Sequence, residues 1–534
     1  MTGQYHFGPL ERRGVFLGAR GGQLVVGVVC TAVAVAIFSA SPTPLGALAA
    51  LCAVGTGLAV ALLPVAGRTA EQWVPVVARF ALSQVTGTGT WVSASHLRGH
   101  VLTRTSRAAT VADAIPEARL PRVRDLNPDG DAGATDNGWV LGVRRVDAAD
   151  AQPPYLRGVE LLAARWRQGE IGVVKDAARR TYVGVIAARG RSFALLDQDA
   201  KRRLLAGWGS VLSAVSREAG AVARVQWLER TVPDDSESVV RFLGEHRSLP
   251  ASSPFVSSYL ALLDEAGPQS QQHEVFIAVQ VSAVRASSVI RRQRRGVDVG
   301  SCEVLSRELD AFAANLRRAD VDVRGILSPR MLAAALREWS DPPAREQLAH
   351  RAAAIADMAG ASPRNAFPHR SEVSWSALRT EGAHHATYWV SEWPRAVVGT
   401  DWLAPLLLGT RARRTVSVVM EPGPPSLALR RVEAARVDDA TTRSLRQRLG
   451  FRTTVRKQRE EETVARAEEE LNEGHQQFRL SAYITVTADT RETLDVACAD
   501  VEQQARQSGL DVRRAYGTQD VAFTYTLPLC RGLR

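Results

Sequence analysis

Lysine is almost missing from this chain of 534 residues: Lys175, Lys201 and Lys457 are the only three among 67 basic residues. None follows a glycine, which excludes a Gly-Lys-Ser/Thr phosphate loop. The five cysteines include no C-x-x-C pair, which excludes a zinc ribbon or a thioredoxin-type motif. Cys30 and Cys52 sit in apolar runs and Cys302, Cys498 and Cys530 stand alone, as ordinary thiols of a reducing compartment do. G-x-S-x-G and H-E-x-x-H are absent too. The expectation is a protein that is not an enzyme, with no cofactor, no metal and no catalytic residues.

What is present is arginine. It sets a net charge of +11 and, with abundant alanine, most simply reports a GC-rich genome. Arginine-rich surfaces nonetheless attract phosphate, whether of lipid or of nucleic acid.

Two runs, residues 24–40 and 44–67, contain no charged side chain. At 1.5 Å per residue each reaches across roughly 30 Å of hydrocarbon, the first only just. Ser41, Pro42 and Thr43 join them, and arginines flank only the outer ends: Arg12, Arg13 and Arg20 before, Arg68 and Arg79 after. This pattern predicts a transmembrane hairpin over residues 1–67 in the plasma (inner) membrane, with both chain ends cytoplasmic and membrane lipid as a partner. Residues 68–154 read as a juxtamembrane helix and linker. The helix opens on a Thr69-x-x-Gln72 capping box, and Trp73 suits the headgroup level. Within the linker, Asp125, Asn127, Asp129, Gly130 and Asp136 follow a calcium-loop spacing, but Pro121 and Pro128 oppose the bracketing helices, and a solvated loop is the better reading.

Two cytosolic α+β subdomains are expected, over residues 155–350 and 370–534. Strands are predicted at 180–188, 222–232, 274–283 and 319–326, with helices at 198–220 and 303–318 between them. A second strand–helix–strand set occupies 479–488, 490–508 and 509–516. The similar helix exits suggest split βαβ, ferredoxin-like halves. Residues 426–472 read as long charged helices, basic first and acidic at the far end, where Glu468, Glu469 and Glu470 lie. Residues 521–527 alternate like a strand that Pro528 would end. His384 and His385 are adjacent, so on a strand they face opposite ways and make a poor metal site.

The order "TYWVSEWP", a Trp-Leu-x-Pro-Leu-Leu helix, "VVMEPGPP", "EEELNEGHQQFRLSAYITVTA" and "GTQDVAFTYTLPL" resembles the N-terminal half of the conjugation-type ATPases that drive type IV secretion. The start, "FLGARGGQLVVGVV", resembles their small two-helix membrane subunit. The whole is similar to a membrane protein family of high-GC Gram-positive bacteria found in conjugation-like secretion loci. In the motors the Leu-Pro stretch leads into a RecA-like domain, and this sequence stops there. The resemblance therefore implies a non-catalytic inner-membrane scaffold, possible as a homo-oligomer, that docks a separate motor ATPase. The expected interface is Glu468, Glu469 and Glu470, or Pro528 and Arg531. Two alternatives stay open: a type VII secretion membrane component, or a nucleic-acid-contacting transfer protein using residues 290–296 and 411–414.

Overall fold

The structure is a computed structural model. It describes residues 21–62, 70–93 and 142–146, most of 152–266, and 271–533 apart from 294–295, 355–358, 395 and 424–476. Near the start come helices α1 (Gly21–Ala40), α2 (Pro44–Leu62) and α3 (Ala70–Val85), then strands β1 (Thr90–Val92) and β2 (Val143–Arg145). The first half follows with β3 (Val159–Trp166), β4 (Gly169–Asp176), β5 (Thr181–Arg189), α4 (Gln198–Val215), β6 (Val222–Pro233) and α5 (Pro254–Ala266). It continues through β7 (Gln271–Ser282), α6 (Ser287–Gln293), α7 (Val297–Arg318), β8 (Asp322–Ile326), α8 (Pro329–Ser340) and α9 (Ala344–Ala354). The second half holds β9 (Arg370–Val373), β10 (Leu378–Arg379), β11 (His384–Glu392), α10 (Ala404–Leu408), β12 (Arg414–Pro422), β13 (Phe478–Ala488), α11 (Arg491–Gln507), β14 (Asp511–Arg514) and α12 (Gln519–Phe523).

All these strands belong to one 14-stranded sheet, and every pairing in it is antiparallel. Its centre is a duplication. The strands of β5-α4-β6-β7-α7-β8 lie in the order β8-β5-β7-β6, and those of β11-α10-β12-β13-α11-β14 in the order β14-β11-β13-β12. Edge strands β6 and β12 then pair with each other, placing Leu228 opposite Ser417 and Val225 opposite Met420. The expected fold, a transmembrane hairpin followed by separate ferredoxin-like units, is corrected to one continuous antiparallel sheet; the long charged helices expected with it lie outside the described residues. Pairing across β6–β12 fuses both halves into one sheet, because an exposed edge strand is a ready template for another.

The transmembrane hairpin is corrected as well. The two helices form and pack together, and Thr43 caps the second through its Oγ1 and the Gly46 N–H at 3.2 Å. Among the described residues, however, no helix is long and apolar enough to cross a membrane. The hairpin still exposes large apolar side chains, Val28, Val35, Phe38, Leu48 and Leu51 among them. The calcium-like loop and the charged helical region lie outside the described residues.

Helix α3 does not stand apart from the sheet. Trp73 stacks on Trp375 with ring centroids 5.8 Å apart, Phe80 meets the same ring edge-on at 5.1 Å, and Arg79 pairs with Asp520 at 2.8 Å. These contacts latch the segment beside β1 to the second half.

Helices cover both faces. On one face, α7 buries Leu305, Leu309, Phe312 and Leu316 at helical spacing against Tyr182, Ile186, Ile277 and Val279. On the same face α10 and α11 bury Leu406, Leu494, Cys498 and Val501 against Tyr388, Val390 and Ile484. On the other face, α8 and the C-terminal segment cover Val174, Val183, Val185 and Leu228. The residues themselves explain the boundaries. Asp197 caps α4 by accepting the Ala200 N–H at 2.7 Å, Ser328 caps α8 ahead of Pro329, and Thr490 and Thr493 form a reciprocal capping box on α11.

Gly172 on β4 lets α8 approach. A Cβ there would lie 2.9 Å from Leu332 Cδ2 and 3.0 Å from the Ser328 carbonyl oxygen. Gly172→Val is expected to destabilise the protein by about 1–3 kcal/mol by lifting α8 off the sheet. Chemical denaturation with tryptophan fluorescence checks this, since Trp339 rides on that helix.

Candidate functional site

The predicted interface residues divide. Glu468, Glu469 and Glu470 lie outside the described residues. Pro528 and Arg531 are described, and both are buried. The segment leading to them is not a strand: α12 gives way to a 3-10 turn over Thr524–Thr526. Alternation at period two predicted pairing that the local hydrogen bonds pre-empt. Thr524 Oγ1 donates to the Val521 carbonyl at 2.7 Å, and Thr526 Oγ1 to that of Phe523 at 3.0 Å.

From there the chain crosses the β6–β12 seam. Gln226, in the middle of β6 and fully buried, organises the crossing. Its side-chain nitrogen faces Ser417 Oγ on β12 and the carbonyls of Tyr525 and Leu527, all at 2.8–3.0 Å. Its carbonyl accepts the Cys530 N–H at 2.8 Å. Ser417 Oγ also reaches the Tyr525 carbonyl at 2.8 Å. Arg224 bonds Glu421 on β12 at 3.1 Å and the Cys530 carbonyl at 3.2 Å. Arg531 closes the clasp, with Nη2 2.7 Å from Asp176 Oδ2 and Nη1 3.1 Å from the Tyr155 carbonyl. The segment thus grips strands of both halves. Burial raises the Cys530 thiol pKa well above its ordinary range, so this cysteine is a packed group and not a nucleophile.

Further along the same face lies an ionic cluster. Arg230 on β6 is opposite Glu274 on β7 and reaches Glu338 on α8 at 2.6 Å, while Arg345 on α9 reaches Glu274 at 2.8 Å. Trp339 lies under the Arg230 guanidinium at 4.8 Å from the ring centroid, and its Nε1 donates to Thr415 Oγ1 at 3.1 Å. Burial alone would disfavour both charges. The neighbouring guanidiniums overcome it and hold Glu274 below the usual carboxylate range, while Glu274 and Glu338 hold Arg230 above its own. The cavity these residues line is about 40 Å³, room for a water and not for a substrate.

The inward face of the second half is polar. His385, Thr387, Thr485 and Thr487 are buried there. His385 bridges Thr380 and Thr487 at 3.0 Å each, Thr387 meets Thr485 at 2.8 Å, and Thr485 meets Thr526 at 2.7 Å. Gln519 of α12 accepts the Thr387 N–H at 2.8 Å. Sequence reasoning missed Gln226, Arg230, Glu274 and Glu338. The signal was there, since in "VARVQWLERTV" Gln226 and Arg230 share strand parity with Leu228 and must point the same way.

Of the basic stretches, residues 411–414 do not form an open patch. Arg414 is buried and donates to the carbonyls of Thr410 at 3.2 Å, Ala412 at 3.3 Å and Leu407, the last closing the end of α10. Among the described residues, no group of three or more histidines, cysteines and carboxylates could hold a metal.

Fold and buried site together define a duplicated antiparallel α/β sheet protein whose polar interior joins its halves. No family model matches the chain, and no curated protein matches it.

Proposed function

We propose that this protein is a non-catalytic scaffold of a conjugation or type IV-like secretion apparatus and docks a separate motor ATPase at the cytoplasmic face of the plasma membrane. The observation that carries the reading is exposed apolar surface on helix α5. Helix α5 buries Val256 but exposes Phe255, Tyr259 and Leu262, which share one face at helical spacing, with Phe255 79% exposed. Patches of that kind mark protein or membrane contacts. The exposed apolar side chains of the α1–α2 hairpin support the membrane side of the reading without requiring a span. The order of sequence motifs shared with the conjugation motors supports the partner.

The test is retention of a purified conjugation-type motor ATPase by the immobilised full-length chain. Phe255→Ser with Leu262→Ser is expected to weaken retention at least tenfold, and so is reversal of Glu468, Glu469 and Glu470 to lysine. The scaffold alone is expected to show no ATP hydrolysis. Retention unchanged in both variants, or turnover by the scaffold itself, would overturn the reading.

A further inference from the structure

Beside the ionic cluster of Arg230, Glu274 and Glu338, the side chain of Arg413 lacks a matching acceptor. Its Nε is enclosed and has no hydrogen-bond partner. Among the described residues its one ion pair is with Asp489 at 3.5 Å, and that carboxylate is 75% exposed. A buried donor without a partner is rare, and costs more on a charged group than on a neutral one. Burial lowers the Arg413 pKa and the charges of Arg230 and Arg345 push the same way, with Asp489 and Glu346 offsetting them only in part.

The strands fix where Arg413 sits. It directly precedes β12, its carbonyl accepts the Thr487 N–H of β13 at 2.9 Å, and it shares strand parity with Thr415. Arg413 and Thr415 reach the same small cavity of about 40 Å³, whose other walls include Arg230 of β6, Glu338 of α8, Arg345 of α9 and Thr487.

Most donors around that cavity are already committed. Arg230 gives Nε and Nη2 to Glu274, and Nη2 to Glu338 as well. Arg345 gives Nη1 to Glu274 and Glu338, and Nη2 to Gln272. Arg413 Nε is not committed, and neither is the Thr415 hydroxyl proton. Thr415 Oγ1 accepts the Trp339 indole N–H at 3.1 Å, which leaves its own hydrogen to donate.

Charge has the same bias. Arg230 and Arg345 neutralise Glu274 and Glu338 between them, so Arg413 is the surplus cation. Asp489 and Glu346 answer it only from the exposed side. An acceptor that carries one negative charge and fits about 40 Å³ would satisfy both donors and that surplus at once. Phosphate, sulfate and carboxylate ligands are too large, and a water brings an acceptor without the charge.

We propose that this cavity is a binding site for a monatomic anion of the halide class, chloride first, held by the Arg413 Nε–H and the Thr415 hydroxyl. Arg413 and Thr415 belong to the second half, and Arg230, Glu338 and Arg345 to the first, so the anion strengthens the joint between them. The site is independent of the docking surface on α5 and stands whether or not the scaffold reading does.

Thermal unfolding of the full-length protein is followed while sodium chloride replaces sodium gluconate at constant ionic strength, which holds ordinary screening fixed. The melting temperature is expected to rise saturably by about 2 °C, because a ligand of the folded state stabilises it by mass action. Bromide is expected to do the same. Line broadening in the chloride nuclear magnetic resonance signal, displaced by bromide, reads occupancy directly. Arg413→Gln is expected to abolish both effects. Thr415→Val removes the hydroxyl and keeps the shape; it is expected to weaken binding roughly tenfold and decides the matter should the Arg413 variant fail to fold. Arg202→Gln, on α4, is the control that changes nothing. Identical melting in chloride and gluconate, or chloride effects that persist unchanged in both variants, would overturn the site and leave the cavity to water.

Discussion

Arg230→Ala is expected to lower the unfolding free energy by about 3–5 kcal/mol. The reason is the company that Arg230 keeps. Its side chain is 6% exposed and contacts two carboxylates, Glu274 and Glu338, at 2.5 and 2.6 Å. Removing the guanidinium leaves those carboxylates partly buried and facing each other, with Arg345 their remaining cation. Most of the cost is that uncompensated charge, not the pair itself. A sharper expectation follows. Arg230→Met combined with Glu274→Gln and Glu338→Gln is expected to recover a large part of the loss, because the most buried cation leaves with both carboxylates while Arg345, one-third exposed, keeps Gln272 and water. Urea denaturation of the single and triple variants checks this. Additive losses would show that the cluster is not coupled.

The second large effect is acid sensitivity, centred on His385. Burial pushes its pKa down to about 3, with Arg413 and His384 adding to the shift and the Ser340 backbone opposing it. The unfolded chain protonates this imidazole at its ordinary value near 6.5, while the folded protein does not. Below pH 6.5 the unfolded state therefore binds the extra proton, and stability falls as pH drops toward 3. At pH 5 the loss amounts to about 2 kcal/mol from this residue. Glu274 adds a later phase. Its pKa is depressed in the fold, so its contribution is present above the ordinary carboxylate range and disappears as pH falls through the lower folded value. Melting temperatures between pH 7 and pH 5 measure the first phase. His385→Gln is expected to be less stable at pH 7 yet flatter across that window. An unchanged slope would place the sensitivity elsewhere.

The sequence showed the local elements far better than their partners. Strands expected at 222–232 and 479–488 run from 222 to 233 and from 478 to 488, and a helix expected at 490–508 runs from 491 to 507. There, alternation of apolar and β-branched residues or a Thr cap acts within a few residues. The pairing of β6 with β12 has no such signature, since it joins residues nearly two hundred positions apart. Two expectations failed for related reasons. The apolar runs at the start revealed helices, but length and hydropathy do not say what lies against them. At the other end, threonines alternating with Phe523 and Tyr525 satisfied strand periodicity while their hydroxyls bonded backwards along the chain. As for the candidate site, Arg531 was visible as a charge near the end of the sequence, yet nothing local revealed Asp176, 355 residues earlier, as its partner.

That separation bears on how the molecule is made. Leu228, Val183 and Val185 of the first half are roofed in part by Phe523, Leu527 and Leu529, synthesised some three hundred residues later. During translation the first half emerges with that side of its sheet covered only in part, by α8, and Gln226 lacks the Tyr525, Leu527 and Cys530 backbone partners of its amide until that later segment arrives. Long-range closure of this kind is slow, and a half-roofed sheet is prone to sticking to its neighbours. A chain that lacks residues 519–531 would leave Leu228, Val183 and Val185 partly open to water and exposed to chaperones or proteases.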